Sequence, residues 1–146
     1  MTEARVARAR EAEAELYAEG HYAAAEAALA DARQRLAEGD YGAAIRAVSL
    51  ASTRADQAYA SAILGKQRMT RRAKRQLFEI LSLLEEAGSV GVRAGETESL
   101  KALDDRLGRL ERELEQGLSA KVYEEGLELK NDSLEFLNRL REKEKS

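Results

Sequence analysis

Apolar residues recur three and four positions apart along most of the chain, which is the spacing of one face of an α-helix. The longest runs are rich in leucine and lie on either side of a glycine-containing segment at 88–97. The chain has no proline and 27 alanines, and alanine, leucine, glutamate and arginine all favour helices. The pattern therefore predicts an all-α fold.

Two similar segments indicate where helices end. Residues 18–29 and 37–48 both contain Glu-Gly-X-Tyr, at an offset of 19 positions. A glycine just past a helix commonly adopts the left-handed conformation, and we predict this conformation for Gly20 and Gly39. His21 and Asp40 would then cap the following helices, and aspartate is the better cap of the two.

These ends predict helices at about 2–19 and 22–38, with a third from 41 onward. Tyr22 and Tyr41 are expected to fold back onto the preceding helix. Faces made of alanine allow close packing but bury little area, so we expect this half to be the less stable one.

The stretch 23–62, with its turn Gly39-Asp40-Tyr41, resembles the alanine-rich helical hairpins of tetratricopeptide-like proteins. It is also similar to uncharacterised bacterial helical domains with a GDYxxA turn. The resemblance implies a hairpin fold and a scaffolding role, and it implies nothing catalytic. The offset of 19 residues is shorter than the tetratricopeptide unit of about 34 residues.

Beyond residue 65, apolar positions before and after the segment 88–97 match in antiparallel order. Leu84 aligns with Leu100, Leu77 with Leu107 and Ala73 with Leu110. This is the spacing of a coiled-coil seam. The sequence therefore predicts a two-helix, coiled-coil-like stalk of about 66–87 against 98–118.

The predicted architecture is an elongated helical bundle of antiparallel hairpins. Residues 1–65 form an alanine-rich base, 66–118 form the stalk with a tip loop at 88–97, and 119–146 form a C-terminal helix that packs on the base as its fourth helix. That last helix would use a face made of Leu127, Leu134, Leu137 and Leu140. Whether a helix breaks at Gly65 or Gly117 stays open from the sequence.

Charge is concentrated in one decade of the chain. Residues 66–75 carry six basic side chains and no acidic one, whereas the net charge of the whole chain is −3. Four arginines of this decade, which we call the arginine stripe, share about a third of the helix circumference: Arg68, Arg71, Arg72 and Arg75. The stripe could grip phosphates, or it could balance acidic neighbours, namely Glu111, Glu113 and Glu115 or Glu11, Glu13 and Glu15.

The segment 88–97 offers a second candidate surface. Val90 and Val92 beside Arg93 could be exposed anchors for a partner. Alternatively, the valines tuck back onto Leu83 and Leu84. The glycines of this segment match no nucleotide-binding motif.

Several chemistries lack their usual residues. The chain has no cysteine and one histidine, so cysteine nucleophiles, thiolate metal sites and histidine-rich metal sites are excluded. Asp104 and Asp105 are consecutive on a helix and point about 100° apart, so they are unsuited to share a catalytic proton. We expect no enzyme activity, no metal and no cofactor.

The sequence therefore favours a non-enzymatic interaction or scaffold module that acts by burying helix faces. Its partner would be a second copy or another helical protein, and we expect a homo-oligomer. The alternative is an adaptor that binds acidic surfaces, either a nucleic-acid backbone or an anionic lipid, through the arginine stripe. The N-terminus has no apolar leader region and no stretch is long and apolar enough to span a membrane, so a cytoplasmic location is expected.

Overall fold

The structure, a computed structural model, describes residues 1–90 and 96–145. All regular secondary structure within these ranges is α-helical, which confirms the predicted all-α class. The helices are α1 (Thr2–Glu11), α2 (Ala14–Tyr17), α3 (Glu19–Ala37), α4 (Tyr41–Ser89), α5 (Thr97–Glu115) and α6 (Ser119–Lys145).

The chain divides into two compact units, at Met1–Gln67 and Arg68–Ser146. Helix α4 is continuous across this boundary and contributes to both units. The helix therefore does not break at Gly65, one of the two positions that the sequence left open.

The turn between α3 and α4 forms as its sequence predicts. Gly39 has a φ of 80°, and its amide donates to Leu36 while the amide of Asp40 donates to Arg35. This pair of bonds is the Schellman motif that closes many helices. The Asp40 carboxylate accepts a hydrogen bond from the Ala43 amide at 3.2 Å, so Asp40 caps α4 as predicted.

The left-handed conformation predicted for Gly20 is wrong. Gly20 and His21 both lie inside α3, and the break between α2 and α3 falls at Ala18, whose φ is −147°. The chain also turns at Glu13, whose φ is 63°. The first predicted helix is thereby divided into α1 and α2. The Glu13 carboxylate pairs with Lys66 on α4.

The core of the first unit is made mainly of alanine. Seven of its nine buried residues are alanines from α1 to α4, and Val6 and Tyr22 complete it. Tyr22 is buried as expected, but Tyr41 is 65% exposed, so the prediction that it folds back onto α3 is wrong. At Gly65 a Cβ atom would lie 2.8 Å from the carbonyl oxygen of Tyr17, so glycine allows α2 and α4 to approach closely.

The second unit is a three-helix bundle. Its core contains the predicted seam residues of α4 and α5, including Leu77 and Leu107, but it also contains residues of α6 such as Phe136. The two-helix stalk is therefore corrected to a bundle of three helices.

The same core overturns the predicted place of the C-terminal helix. The buried apolar face of α6 is Val122, Leu129, Phe136, Leu137 and Leu140, all packed with residues of α4 and α5 in the second unit. Of the four leucines predicted for this face, Leu127 and Leu134 are exposed. The physical reason is the larger apolar area: leucine seams on α4 and α5 bury more surface against α6 than alanine faces would.

Helix α6 begins after a true break. Gly117 has a φ of 86° and repeats the hydrogen-bond pattern of Gly39, with the amide of Leu118 donating to Glu113. The Ser119 hydroxyl, at the start of α6, lies 2.6 Å from that of Thr70 on α4. Gly117 is therefore the second open position, and here the helix does end.

Candidate interaction surfaces

The first thirteen residues of α4, 41–53, form the segment with the fewest charges on the protein's helices. The sequence YGAAIRAVSLAST contains one charged residue, Arg46, in a chain of which 35% is charged. Three large apolar side chains lie here on one line of the helix, at intervals of four and three: Tyr41, Ile45 and Val48, which are 65%, 70% and 41% exposed. A helix that is apolar on most sides is normally a buried one.

The same line of α4 is covered further along the helix. From residue 52 onward α1 lies against it: the Thr2 hydroxyl is 2.8 Å from that of Ser52, and Arg5 pairs with Asp56 at 2.9 Å. Arg8 stacks over the ring of Tyr59 at 4.1 Å. The uncovered apolar line is therefore the continuation of a surface that accepts a helix.

The arginine stripe lies at the start of the second unit. All four of its side chains are exposed, as is Lys74 between them. None of the four forms an ion pair within residues 1–90 and 96–145. Of the acidic residues on α5 that could balance the stripe, Glu113 pairs with Arg109 and Lys121 instead. Glu111 and Glu115 form no ion pair in the described ranges.

The residues near the first helix give the same result. Glu13 pairs with Lys66 and Glu15 with Arg10, while Glu11 has no ion pair in the described part of the chain. The interpretation of the stripe as a charge balance within the chain therefore has no ion pair to support it.

A groove between α4 and α6 borders the stripe. It has a volume of about 230 Å³ and is lined by Arg72, Arg75, Gln76, Glu79, Tyr123, Leu127 and Lys130. The Lys130 ammonium on α6 pairs with Glu79 on α4 at 2.6 Å across this groove. The guanidinium groups of Arg72 and Arg75 thus remain available to a ligand at its edge.

Helix α6 carries a line of the opposite charge, which we call the acidic stripe. Its members recur at intervals of four and three and all are exposed: Glu124, Glu128, Asn131, Glu135, Asn138 and Glu142. None of these glutamates forms an ion pair with a described residue. By contrast, Glu125 and Asp132 on the side toward α5 pair with Arg109 and Arg106.

The tip segment is described in part. Val90 is half-buried and, like Leu83, packs against the core cluster that includes Leu84, which favours the tucked-back alternative over an exposed anchor. Val92 and Arg93 lie outside the described residues.

Histidine and carboxylate side chains of the described ranges are not grouped as a metal site requires. No group of three or more histidine or carboxylate side chains there could hold a metal ion. His21, Asp104 and Asp105 are all exposed. Within the same ranges, every helix is too short or too polar to cross a membrane.

Two of these surfaces were missed by reasoning from the sequence. The charge-poor segment 41–53 is visible in the sequence as thirteen residues with one charge. The acidic stripe is visible as glutamates and asparagines at helical spacing. Neither feature could be identified as a surface from the sequence, because helical periodicity does not show which face of a helix a neighbouring helix covers.

No protein-family model, curated protein or solved structure significantly matches the chain. The resemblance of residues 23–62 to tetratricopeptide-like hairpins and to GDYxxA domains therefore stays a prediction.

Proposed function

We propose that this chain is a non-enzymatic helical interaction module that self-associates by burying helix faces. The observation that carries the proposal is the charge-poor segment of α4, with Tyr41, Ile45 and Val48 exposed along one line. Exposed apolar patches on helical proteins commonly mark interaction sites. The line continues a surface on which α1 already packs.

Side-chain sizes along this segment suit a second copy in antiparallel orientation. With a two-fold axis at Ile45, Tyr41 of one copy faces Ser49 of the other, and Val48 faces Gly42. Each large side chain then meets a small one, as interdigitating helix packing requires. The Gly42 position is open, since a Cβ atom there would meet only the tip of Arg46, at 3.8 Å.

The energies indicate a weak, concentration-dependent dimer. Fully burying a side chain of this kind contributes about 1.5 to 3 kcal/mol, and three per copy would be partly buried. Association itself costs about 4 to 15 kcal/mol. The two amounts are of similar size, so we expect a weak complex that forms at high protein concentration rather than a permanent one.

Sedimentation equilibrium over a range of protein concentrations tests the proposal. We expect Ile45→Glu to abolish self-association through this face, and Leu16→Glu, at a similarly exposed apolar position of the same unit, to leave it intact. Circular dichroism would verify that both variants keep their helices. Identical association by the native protein and Ile45→Glu would refute the proposal.

A further variant tests the two-fold arrangement itself. Ser49 is small and polar, so an effect of Ser49→Phe on association is expected only if Tyr41 of the second copy packs there. Association through this face should change little with salt, because apolar contacts are not screened.

A second candidate function has its own supporting observation: the arginine stripe is exposed and forms no ion pair in the described ranges. We propose as this alternative that the stripe binds an acidic surface. Its affinity should then fall steeply as salt rises. Replacing Arg68, Arg71, Arg72 and Arg75 by Gln should abolish this binding and leave the contact around Ile45 unchanged.

A further inference from the structure

The second unit carries two charged lines of opposite sign, and neither line forms an ion pair with a residue that the structure describes. Arg68, Arg71 and Arg75 lie along one line of α4, at intervals of three and four. Glu128, Asn131 and Glu135 of the acidic stripe have the same intervals on α6. The spacings match because each set follows one face of a helix.

The two lines cannot pair within one copy of the unit. The side of α6 that faces α4 carries Lys130, which is bound to Glu79. The acidic stripe lies on the exposed face of α6, away from that contact. Each line is thus left with unbalanced charge that a second copy can supply.

We propose that the arginine stripe of one copy docks on the acidic stripe of α6 in a second copy. With the two helices parallel, Arg68 meets Glu128, Arg71 meets Asn131 and Arg75 meets Glu135. The arginines donate to the carboxylates, and the Asn131 side-chain oxygen accepts from Arg71. Apolar side chains at the border of this contact, Phe78 on α4 and Leu134 on α6, are exposed in the single chain and add area to it.

The charge distribution favours this occupant over a uniformly anionic one. A membrane or a nucleic-acid backbone attracts the arginine stripe but repels the acidic stripe of the same unit. A second copy presents both signs, so every contact can be complementary. If the reverse contact forms between the same two copies, the interface is isologous and two-fold; otherwise the contact is heterologous and continues from copy to copy.

This inference rests on the second candidate function, that the arginine stripe binds an acidic surface, and not on the contact around Ile45. The test therefore uses Ile45→Glu as the background, so that the first contact cannot mask the second. Association is measured by sedimentation at about 50 mM and about 500 mM NaCl, where screening differs strongly.

Charge exchange is the decisive comparison. The pair Arg68→Glu with Arg75→Glu, and separately the pair Glu128→Arg with Glu135→Arg, should each weaken association about tenfold or more at low salt. Combining all four substitutions in one chain should restore association to near its original strength. Lys101→Glu with Arg112→Glu, two exposed cations on α5, is the matched control and should change little.

Three results would overturn the inference. The first is a monomer at low salt, and the second is a four-residue exchange that does not restore association. The third comes from binding of the same variants to phosphatidylserine-containing vesicles and to duplex DNA. If Arg68→Glu with Arg75→Glu loses either of these but keeps self-association, the stripe binds an acidic surface other than α6 and the second candidate function survives alone.

Discussion

Gly65 offers the sharpest test of how the first unit is packed. It lies in the interior of α4, where glycine costs about 1 kcal/mol relative to alanine. On helix propensity alone, Gly65→Ala should stabilise the protein. A Cβ atom at this position would, however, lie 2.8 Å from the carbonyl oxygen of Tyr17 and 3.2 Å from its Cβ atom.

The atoms that block this position belong to the backbone and the base of a side chain, so no simple rotamer change relieves the contact. Overpacking of this kind costs about 1 to 3 kcal/mol. The cost also spreads, because moving α2 away from α4 disturbs the alanines packed there, including Ala14 and Ala62. We therefore expect Gly65→Ala to destabilise the protein by up to about 2 kcal/mol after the gain in propensity.

Gly108→Ala is the matched control. Gly108 is also half-buried within a helix, but a Cβ atom there would meet only the Arg112 side chain, at 3.5 Å, which is ordinary contact. This variant should gain up to about 1 kcal/mol. Urea unfolding followed by circular dichroism measures both variants, and equal or greater stability of Gly65→Ala than of the native protein would contradict the close approach of α2 and α4.

Three further predictions concern caps, buried polar groups and pH. Asp40→Ala removes the side-chain cap of α4 and should cost about 0.5 to 2 kcal/mol, measured by urea unfolding; no change would mean that the cap contributes nothing. Ser133 is fully buried and its hydroxyl oxygen has no hydrogen-bond partner in the described ranges. Ser133→Ala should therefore leave the stability of the protein unchanged or raise it by about 1 kcal/mol. A loss of stability would indicate that a water molecule bridges the hydroxyl to a partner. Arg33 lowers the pKa of the Glu3 carboxyl, first by donating a hydrogen bond and then by its charge. A carboxyl whose pKa is lowered in the folded state stabilises the fold above its unfolded pKa of about 4.3, and this contribution is lost as the pH falls through the folded-state pKa. The difference in Tm between the native protein and Glu3→Gln should therefore shrink from about pH 6 to about pH 3. A Tm difference independent of pH would exclude the ion pair as its cause.

The turn at Gly39 and Asp40 shows what a local signal can predict. Glycine at the left-handed position and aspartate as a cap act through bonds to neighbours a few residues away, so the sequence specifies them without knowledge of the tertiary fold. The similar segment around Gly20 does not form this turn. There the helix breaks at Ala18 instead, and the chain turns again at Glu13, whose carboxylate pairs with Lys66, 53 positions later. Such a distant contact cannot be seen in the local sequence.

The candidate surfaces divide in the same way. The arginine stripe was predicted, and its exposure agrees with the helical wheel. Its lack of ion pairs could not be predicted, because Glu113 pairs with Arg109 on the same helix and with Lys121 on α6, and the second pair forms only once α5 and α6 pack together. Likewise, Tyr41 is exposed because α1 covers α4 from residue 52 onward, a fact of packing rather than of pattern.

By itself the sequence determined that this chain is helical, where α3 ends, and which leucines of α4 and α5 face a core. Only the tertiary structure decided that α6 joins those leucines, that α4 runs on through Gly65 and that the start of α4 keeps its apolar line exposed. Helix formation depends on backbone bonds and side chains within a few positions of each other. Burying an apolar face is favourable whichever neighbour covers it. The spacing of apolar residues along the chain therefore does not show which helix packs on that face.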